Sequence, residues 1–186
     1  MPATQPSATE SVTTWKIDPH HSSAEFKVKH MMISNIKGKF HGINGALTFD
    51  ETDPSHSHVE ATIPADTLST GDTDRDGHVK GADFFDVEKF PRMTFKSTEV
   101  RKTGPGEYAV VGELGIHGVT RSVSFAVEDV STAGKDPWGN MRLGLTAATR
   151  INRKDFGLTW NTALETGGVL VGEDVQITLD IQFIQG

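Results

Sequence analysis

The sequence predicts an all-β protein: an eight-stranded antiparallel sheet that either stacks on a second sheet or closes on itself as a barrel. Three observations predict it. Apolar residues recur with period two from Trp15 onward, turn signals separate the rows, and long helical patterns are missing. Rows that are apolar on one side and polar on the other describe a sheet with one dry and one wet face, which favours antiparallel pairing. Closure removes the exposed edges, and an eight-stranded barrel has an interior that side chains can fill or one small ligand can occupy.

The rows follow in order. Ala24, Phe26 and Val28 alternate with Ser23, Glu25, Lys27 and Lys29, and the segment 36–40 follows. Ile43, Gly45, Leu47 and Phe49 alternate with Asn44, Ala46, Thr48 and Asp50, and Val59, Ala61 and Ile63 with Glu60 and Thr62. Segments 92–100 and 122–130 flank the row Tyr108, Val110, Gly112, Leu114, Ile116. Met141, Leu143, Leu145 and Ala147 precede the last row, Val175 to Phe183. Gly104-Pro105-Gly106 and Lys135-Asp136-Pro137 mark turns between rows. Segments 72–86 and 152–160 break the period and fit short helices or ordered loops. Their aromatics, with Phe90 beside the first, either form lids or cap the core.

A length of 186 residues predicts one domain, with residues 1–14 as a flexible tail and 15–186 as the folded unit. At 35% hydrophobic with 19 glycines, the composition is that of a globular chain. A net charge of −7 offers no broad footprint for nucleic acid. The absence of cysteine excludes disulfides, thiolate metal sites and thiol nucleophiles. No stretch reaches the roughly 20 apolar residues of a membrane helix, so membrane insertion is not expected. The first fourteen residues hold no export signal: the expectation is a soluble chain, periplasmic if a signal peptide has been removed and otherwise cytoplasmic.

Asp72-Thr73-Asp74-Arg75-Asp76-Gly77 matches the first half of a calcium loop. Lys80 and Asp83 at its ninth and twelfth positions, and a strand ending in Pro64 where a helix should lead in, argue against one. The eight histidines include His56 and His58, placed for one side of a strand, but no third ligand has a matching spacing, and no metal site is expected. His30 continues the inward row of Phe26 and Val28. It needs either a polar partner in the core or a ligand headgroup. Gly104-Pro105-Gly106 leads into a strand rather than a helix, so it cannot cradle a pyrophosphate, and no catalytic motif announces an enzyme.

Asp18-Pro19-His20-His21-Ser22, Arg75-Asp76-Gly77-His78-Val79, Ala82 to Asp86, Phe90-Pro91, Gly115 to Arg121 and Ile151-Asn152-Arg153-Lys154-Asp155-Phe156-Gly157 occur in one order along the chain. Together they resemble the YceI-like family of polyisoprenoid-binding proteins, over about Thr14 to Phe183. The resemblance implies a lipocalin-like barrel with an apolar tunnel. It implies a polyisoprenoid, such as the tail of a polyprenyl quinone, or a similar long-chain lipid as bound ligand, with no other cofactor. Storage or transport of that lipid is the expected role.

On this basis Phe26, Val28, Phe40, Leu47, Phe95, Ile116, Phe125, Leu143 and Leu145 are expected to line the tunnel, with Phe84, Phe85, Phe156 and Trp160 at its mouth or ends. His21, Ser22, His30, Arg75, Asp76, His78 and Arg150 are candidates to orient a headgroup. Arg75 and Asp76 would alternatively serve each other or fasten a lid, and the same rows would also suit a filled, ligandless core. An isomerase or cyclase acting on the bound lipid, with His30 or His78 as acid and base, is the alternative reading. The oligomeric state is open, a homodimer being one option.

Overall fold

The structure is a computed structural model that describes residues 11–186. Its strands are β1 (Val12–Ile17), β2 (Ser23–His30), β3 (Ser34–Phe40), β4 (Asn44–Asp50), β5 (His58–Pro64), β6 (Arg92–Gly104), β7 (Glu107–Ile116), β8 (Val119–Glu128), β9 (Gly134–Lys135), β10 (Met141–Asn152) and β11 (Val171–Gln185). One α-helix, α1 (Thr73–Lys80), and a 3-10 turn, Arg153–Phe156, occupy the two segments that break the strand period. Of the tail expected at 1–14, residues 1–10 lie outside the described residues. Val12–Thr14 pair with Thr48–Asp50 in the sheet.

All ladders are antiparallel, and the sheet closes because β11 pairs with both β10 and β1. The ring runs β11, β1, β4, β5, β6, β7, β8, β10 and back to β11, an eight-stranded barrel. The ring has eight positions although eleven strands are present, because β1 and β2 run consecutively along one edge of β11, whose Phe183–Gln185 meet β1 and whose Val171–Asp180 meet β2. β3 continues likewise into β4 across the break at 41–43. Glycines let bulky rings lie flat on this wall: Phe26 stands opposite Gly38, and a Cβ there would fall only 2.2 Å from its ring.

The break between β1 and β2 is fastened by polar groups. Asp18 N–H donates to the Gln182 carbonyl (2.8 Å), and Ser22 Oγ accepts from Gln182 N–H (3.0 Å). Arg142 Nη1 donates to Asp18 Oδ2 (2.7 Å) and its Nε to Asp136 Oδ2 (2.6 Å). Burial alone would raise the Asp18 carboxyl, but hydrogen bonds from Arg142 and His21 outweigh it and hold the group well below the usual carboxylate range. The Arg142 guanidinium brings Asp136 to about 2, and the Asp53 amide and Thr52 hydroxyl bring Asp50 to about 2. Since these folded values lie below the unfolded one of roughly 3.9, the stabilisation is complete above about pH 5 and is lost as pH falls toward 2. The melting temperature is therefore expected to hold from neutral pH to about pH 5 and then drop, with a shallower acid slope in Asp136→Asn. Thermal melts over that range check it, and an unchanged slope in the variant would contradict the assignment.

The β2–β3 hairpin turns through His30-Met31-Met32-Ile33, closed by Ile33 N–H donating to the His30 carbonyl (3.1 Å). Met31 and Met32 both have positive φ, 52° and 63°. The hairpin loop is Met31–Ile33; a turn with positive φ at both central residues favours Asn-Gly, and each bulky residue held left-handed costs roughly 1–2 kcal/mol.

Candidate functional site

The barrel is not filled. It encloses a cavity of about 400 Å³, in the range of roughly 300–1,000 Å³ that small ligands occupy. Inward residues of the strands form its wall, because period two sends every second side chain of a closed sheet to the interior. Three packed clusters sit along it, the third around Ile17, Leu143 and Phe183; the other two mark its ends. One, around Phe40, Phe156 and Leu158, lies toward the end marked by the β2–β3 hairpin. The other, around Tyr108, Phe125 and Val127, lies toward the opposite end. Phe95, Ile177 and Leu179 line the cavity and pack against both, so they stand at its waist.

Of the tunnel residues expected from sequence, Phe26, Val28, Phe40, Leu47, Phe95, Ile116, Phe125, Leu143 and Leu145 all sit on this wall, as do Phe84, Phe85 and Trp160. Phe156 does not. It is 1% exposed in the 3-10 turn after β10, where it packs in the Phe40 and Leu158 cluster behind the wall.

The sheet stops at β3, whose outer edge, among the described residues, meets an isolated bridge between Lys39 and Ser69. The segment carrying α1 packs beside this edge, with Phe85 edge-on to Phe40 at 5.5 Å. Arg75 Nε donates to Thr70 Oγ1 (2.8 Å) and its Nη2 to the Thr70 carbonyl (2.9 Å), while Asp76 Oδ1 accepts from Thr70 N–H (2.8 Å). Arg75 and Asp76 thus tie α1 to the strap that bridges β3; Arg75 also reaches the cavity, whereas Asp76 is spent on the strap. Asp72 caps the same helix by accepting from Arg75 N–H (2.9 Å). The calcium-like stretch is therefore a capped helix, and among the described residues no three His, Asp or Glu side chains gather as a metal site requires.

His78 faces the cavity from α1. Its ring stands edge-on to Trp160 (4.8 Å) and Phe84 (5.3 Å), and its Nε2 lies 2.9 Å from Asp83 Oδ2. This aromatic clasp joins the α1 segment to the loop after β10. Because the His78 side chain is 44% exposed while lining the cavity, the mouth lies here, between α1 and the β2–β3 hairpin. His30 closes β2 at the same end, half-buried on the wall, and among the described residues its ring has no hydrogen-bond partner.

Three headgroup candidates lie elsewhere. His21 is on the outer side of the β1–β2 break, bonded to Asp18 (2.8 Å) and 62% exposed. Ser22 is committed to Gln182. Arg150 is an outward, exposed position of β10, opposite in phase to the inward Ile151. His56 lies in a 3-10 turn before β5 rather than beside His58 on a strand.

Arg153 is the residue that sequence reasoning left out of the site. It is 3% exposed, lines the cavity, and donates to four backbone carbonyls: Gly172 from Nε (2.8 Å), Leu158 and Trp160 from Nη1 (2.6 and 2.9 Å), and Val171 from Nη2 (3.2 Å). Burial pushes its pKa down, though an arginine keeps its charge. The basic residues bordering the cavity are Lys29, His30, Arg75, His78 and Arg153, all from the mouth end; Lys29 and the acidic Glu25 touch it from exposed, outward positions of β2.

A family model described as YceI-like domain matches residues 15–183. The chain belongs to the YceI-like family. Among curated relatives, a UPF0312 protein of Serratia proteamaculans (strain 568) is 37% identical over 173 residues, which make up 92% of this chain and 86% of the relative. One of Yersinia pestis (strain Pestoides F) is 35% identical over the same extent. Among solved structures, Burkholderia cenocepacia BcnA superposes with a TM-score of 0.78 at 24% identity, covering 89% of this chain and 98% of that one. A Campylobacter jejuni YCEI protein gives 0.71 at 26%, covering 86% and 91%. A polyisoprenoid binding domain from Saccharophagus degradans, implicated in plant cell wall breakdown, gives 0.67 at 13%, covering 94% and 99%. These likenesses agree with the YceI-like barrel. Among the described residues, no helix is long and apolar enough to cross a membrane.

Proposed function

We propose that this YceI-like chain binds a long-chain isoprenoid, such as a polyprenyl quinone, or a similar lipid, and holds it for storage or transport. The observation that carries the reading is the cavity: an apolar interior with its basic groups confined to one mouth. Such an arrangement suits a long apolar tail ending in a headgroup with oxygen acceptors. The likeness to the polyisoprenoid binding domain from Saccharophagus degradans supports the same ligand class. His30, with an unpartnered ring, and Arg75 are the headgroup contacts of this proposal, Arg153 adds positive charge behind them while its donors hold backbone carbonyls, and the expected residues on the wall are its tail contacts.

The energetics favour a long tail. Each buried methylene contributes about 0.8 kcal/mol, whereas association costs on the order of 4–15 kcal/mol in lost freedom. Ten carbons, about 8 kcal/mol gross, roughly break even; longer chains gain. Strands of 10–15 residues in β6, β7, β8, β10 and β11 supply walls long enough to sheath them.

Organic extraction of the purified protein followed by mass spectrometry is expected to recover such a lipid. The stripped protein is expected to take up prenyl quinones with affinity rising with tail length. Recovery of no lipid together with no uptake would overturn the reading. The proposed role is that of a container. Chemical conversion of a loaded lipid, lost in His30→Ala without loss of uptake, would replace it with a catalytic one.

A further inference from the structure

We infer that the tip of the β2–β3 hairpin is a membrane-docking element that seats the mouth of the barrel on an anionic phospholipid surface. Four observations meet there. Met31, Met32 and Ile33 are 42%, 59% and 79% exposed, three consecutive large apolar residues on one turn. The first two are held left-handed, where Asn-Gly would be relaxed, so this turn keeps apolar side chains at the expense of its own backbone. The tip stands at the mouth: its neighbour His30 lines the cavity, Met31 N–H donates to the carbonyl of Leu170 (2.7 Å), and Leu170 also lines the cavity.

The fourth observation is charge. Lys27 and Lys37 face one another across the β2–β3 ladder, with Lys29 one step nearer the tip. Like charges directly opposite on a sheet repel. Glu25 is taken up by Lys39 (3.2 Å), and among the described residues Lys27, Lys29 and Lys37 stand in no ion pair. A chain of net charge −7 thus carries an unneutralised basic patch beside its most exposed apolar turn. An apolar wedge flanked by lysines is the chemistry of a lipid headgroup boundary. A second copy of the chain would bring the same lysines against these, which disfavours it as the occupant.

This proposal rests on the container reading for its purpose, but it is tested separately. The full chain is floated with phosphatidylcholine vesicles containing about one quarter phosphatidylglycerol, with pure phosphatidylcholine vesicles, and with the mixed vesicles in about 0.5 M NaCl. Binding is expected to the mixed vesicles in low salt, and to weaken in the other two. Ile33→Asp and Lys27→Glu/Lys37→Glu are each expected to lower it by about tenfold or more. The double variant Met31→Asn/Met32→Gly is expected to melt higher by about 4–8 °C and yet to bind vesicles more weakly, a combination that a purely structural turn would not give. Trp138, 82% exposed in the turn before β10 at the opposite end of the barrel, supplies the control: Trp138→Ala is expected to bind unchanged.

Uptake of a prenyl quinone from detergent is measured on the same proteins. Tip variants that lose vesicles but still load would confirm docking as a separate function. A wild-type chain that docks without loading would sustain docking while overturning the container. No binding of wild type to the mixed vesicles, equal binding by the tip variants, or a tip-dependent dimer without vesicle binding would overturn the proposal.

Discussion

Replacing Arg153 with alanine is expected to destabilise the protein by about 3–5 kcal/mol, because four carbonyls lose a charged donor at once and each buried acceptor left unpaired costs roughly 1–3 kcal/mol. Part of that cost is recovered where the loop opens to water, which keeps the total below the sum. The melting temperature would fall by about 10 °C. Arg153→Lys is expected to lose about 2 kcal/mol, since an ammonium with three donors cannot reproduce the planar fork. The guanidinium also joins the two ends of the loop 161–170, because Leu158 and Trp160 precede it and Val171 and Gly172 follow it. Hydrogen exchange in that loop should therefore accelerate in both variants. An Arg153→Ala protein that melts with the wild type would show that the loop is held by its other contacts, such as Asn161 bonding to both the amide and the carbonyl of Val171.

The second large effect is on binding. Ile177→Phe adds bulk at the waist, where Ile177 packs toward both end clusters of the wall. If the phenyl ring keeps five methylene equivalents from passing, the loss is about 4 kcal/mol, close to a thousandfold in affinity. Stability should hold or rise slightly, because the ring fills space that the empty barrel leaves open. The informative measurement is a prenyl quinone series of increasing tail length, followed by quenching of tryptophan fluorescence. Wild type should gain affinity with each isoprene unit, whereas Ile177→Phe should stop gaining once the tail reaches the waist. Equal gains in both would mean that the chain does not run along the barrel axis.

Much of the wall was legible because side-chain alternation is local. Phe26, Val28, Leu47, Leu143 and Leu145 could be assigned inward from their neighbours alone. Val175, Ile177 and Leu179 carried the same signal, and they belong to the wall as well. The same periodicity explains one misplacement: Arg150 continues the outward phase of β10 and cannot reach the cavity. Arg153, two residues beyond the inward Ile151, keeps that inward phase into the 3-10 turn. Alternation thus aimed it inward, but no feature of the sequence marks it as a buried cation, since its partners are backbone carbonyls that any residue supplies.

His21 and Ser22 illustrate a different limit. Their motif suggested ligand chemistry, but its residues fasten the break where β1 gives way to β2 along β11, through Gln182 some 160 positions away in the chain. β1 itself escaped notice because the run from Val12 to Ile17 has only Trp15 and Ile17 to mark its inward face, which is too short a row to read by period.

The sequence by itself determined that this chain forms amphipathic antiparallel strands, with no cysteine chemistry and no helical scaffold, because each of those statements depends on composition or on neighbours a few residues apart. The tertiary structure alone decided that the apolar faces surround a cavity of about 400 Å³ instead of filling it. It also gathered five basic groups at one mouth and set an exposed apolar turn beside them. The physical reason is closure: the radius of a barrel follows from how many strands pair and with what stagger. Those pairings join residues far apart in sequence, so no local pattern records how much space they leave inside.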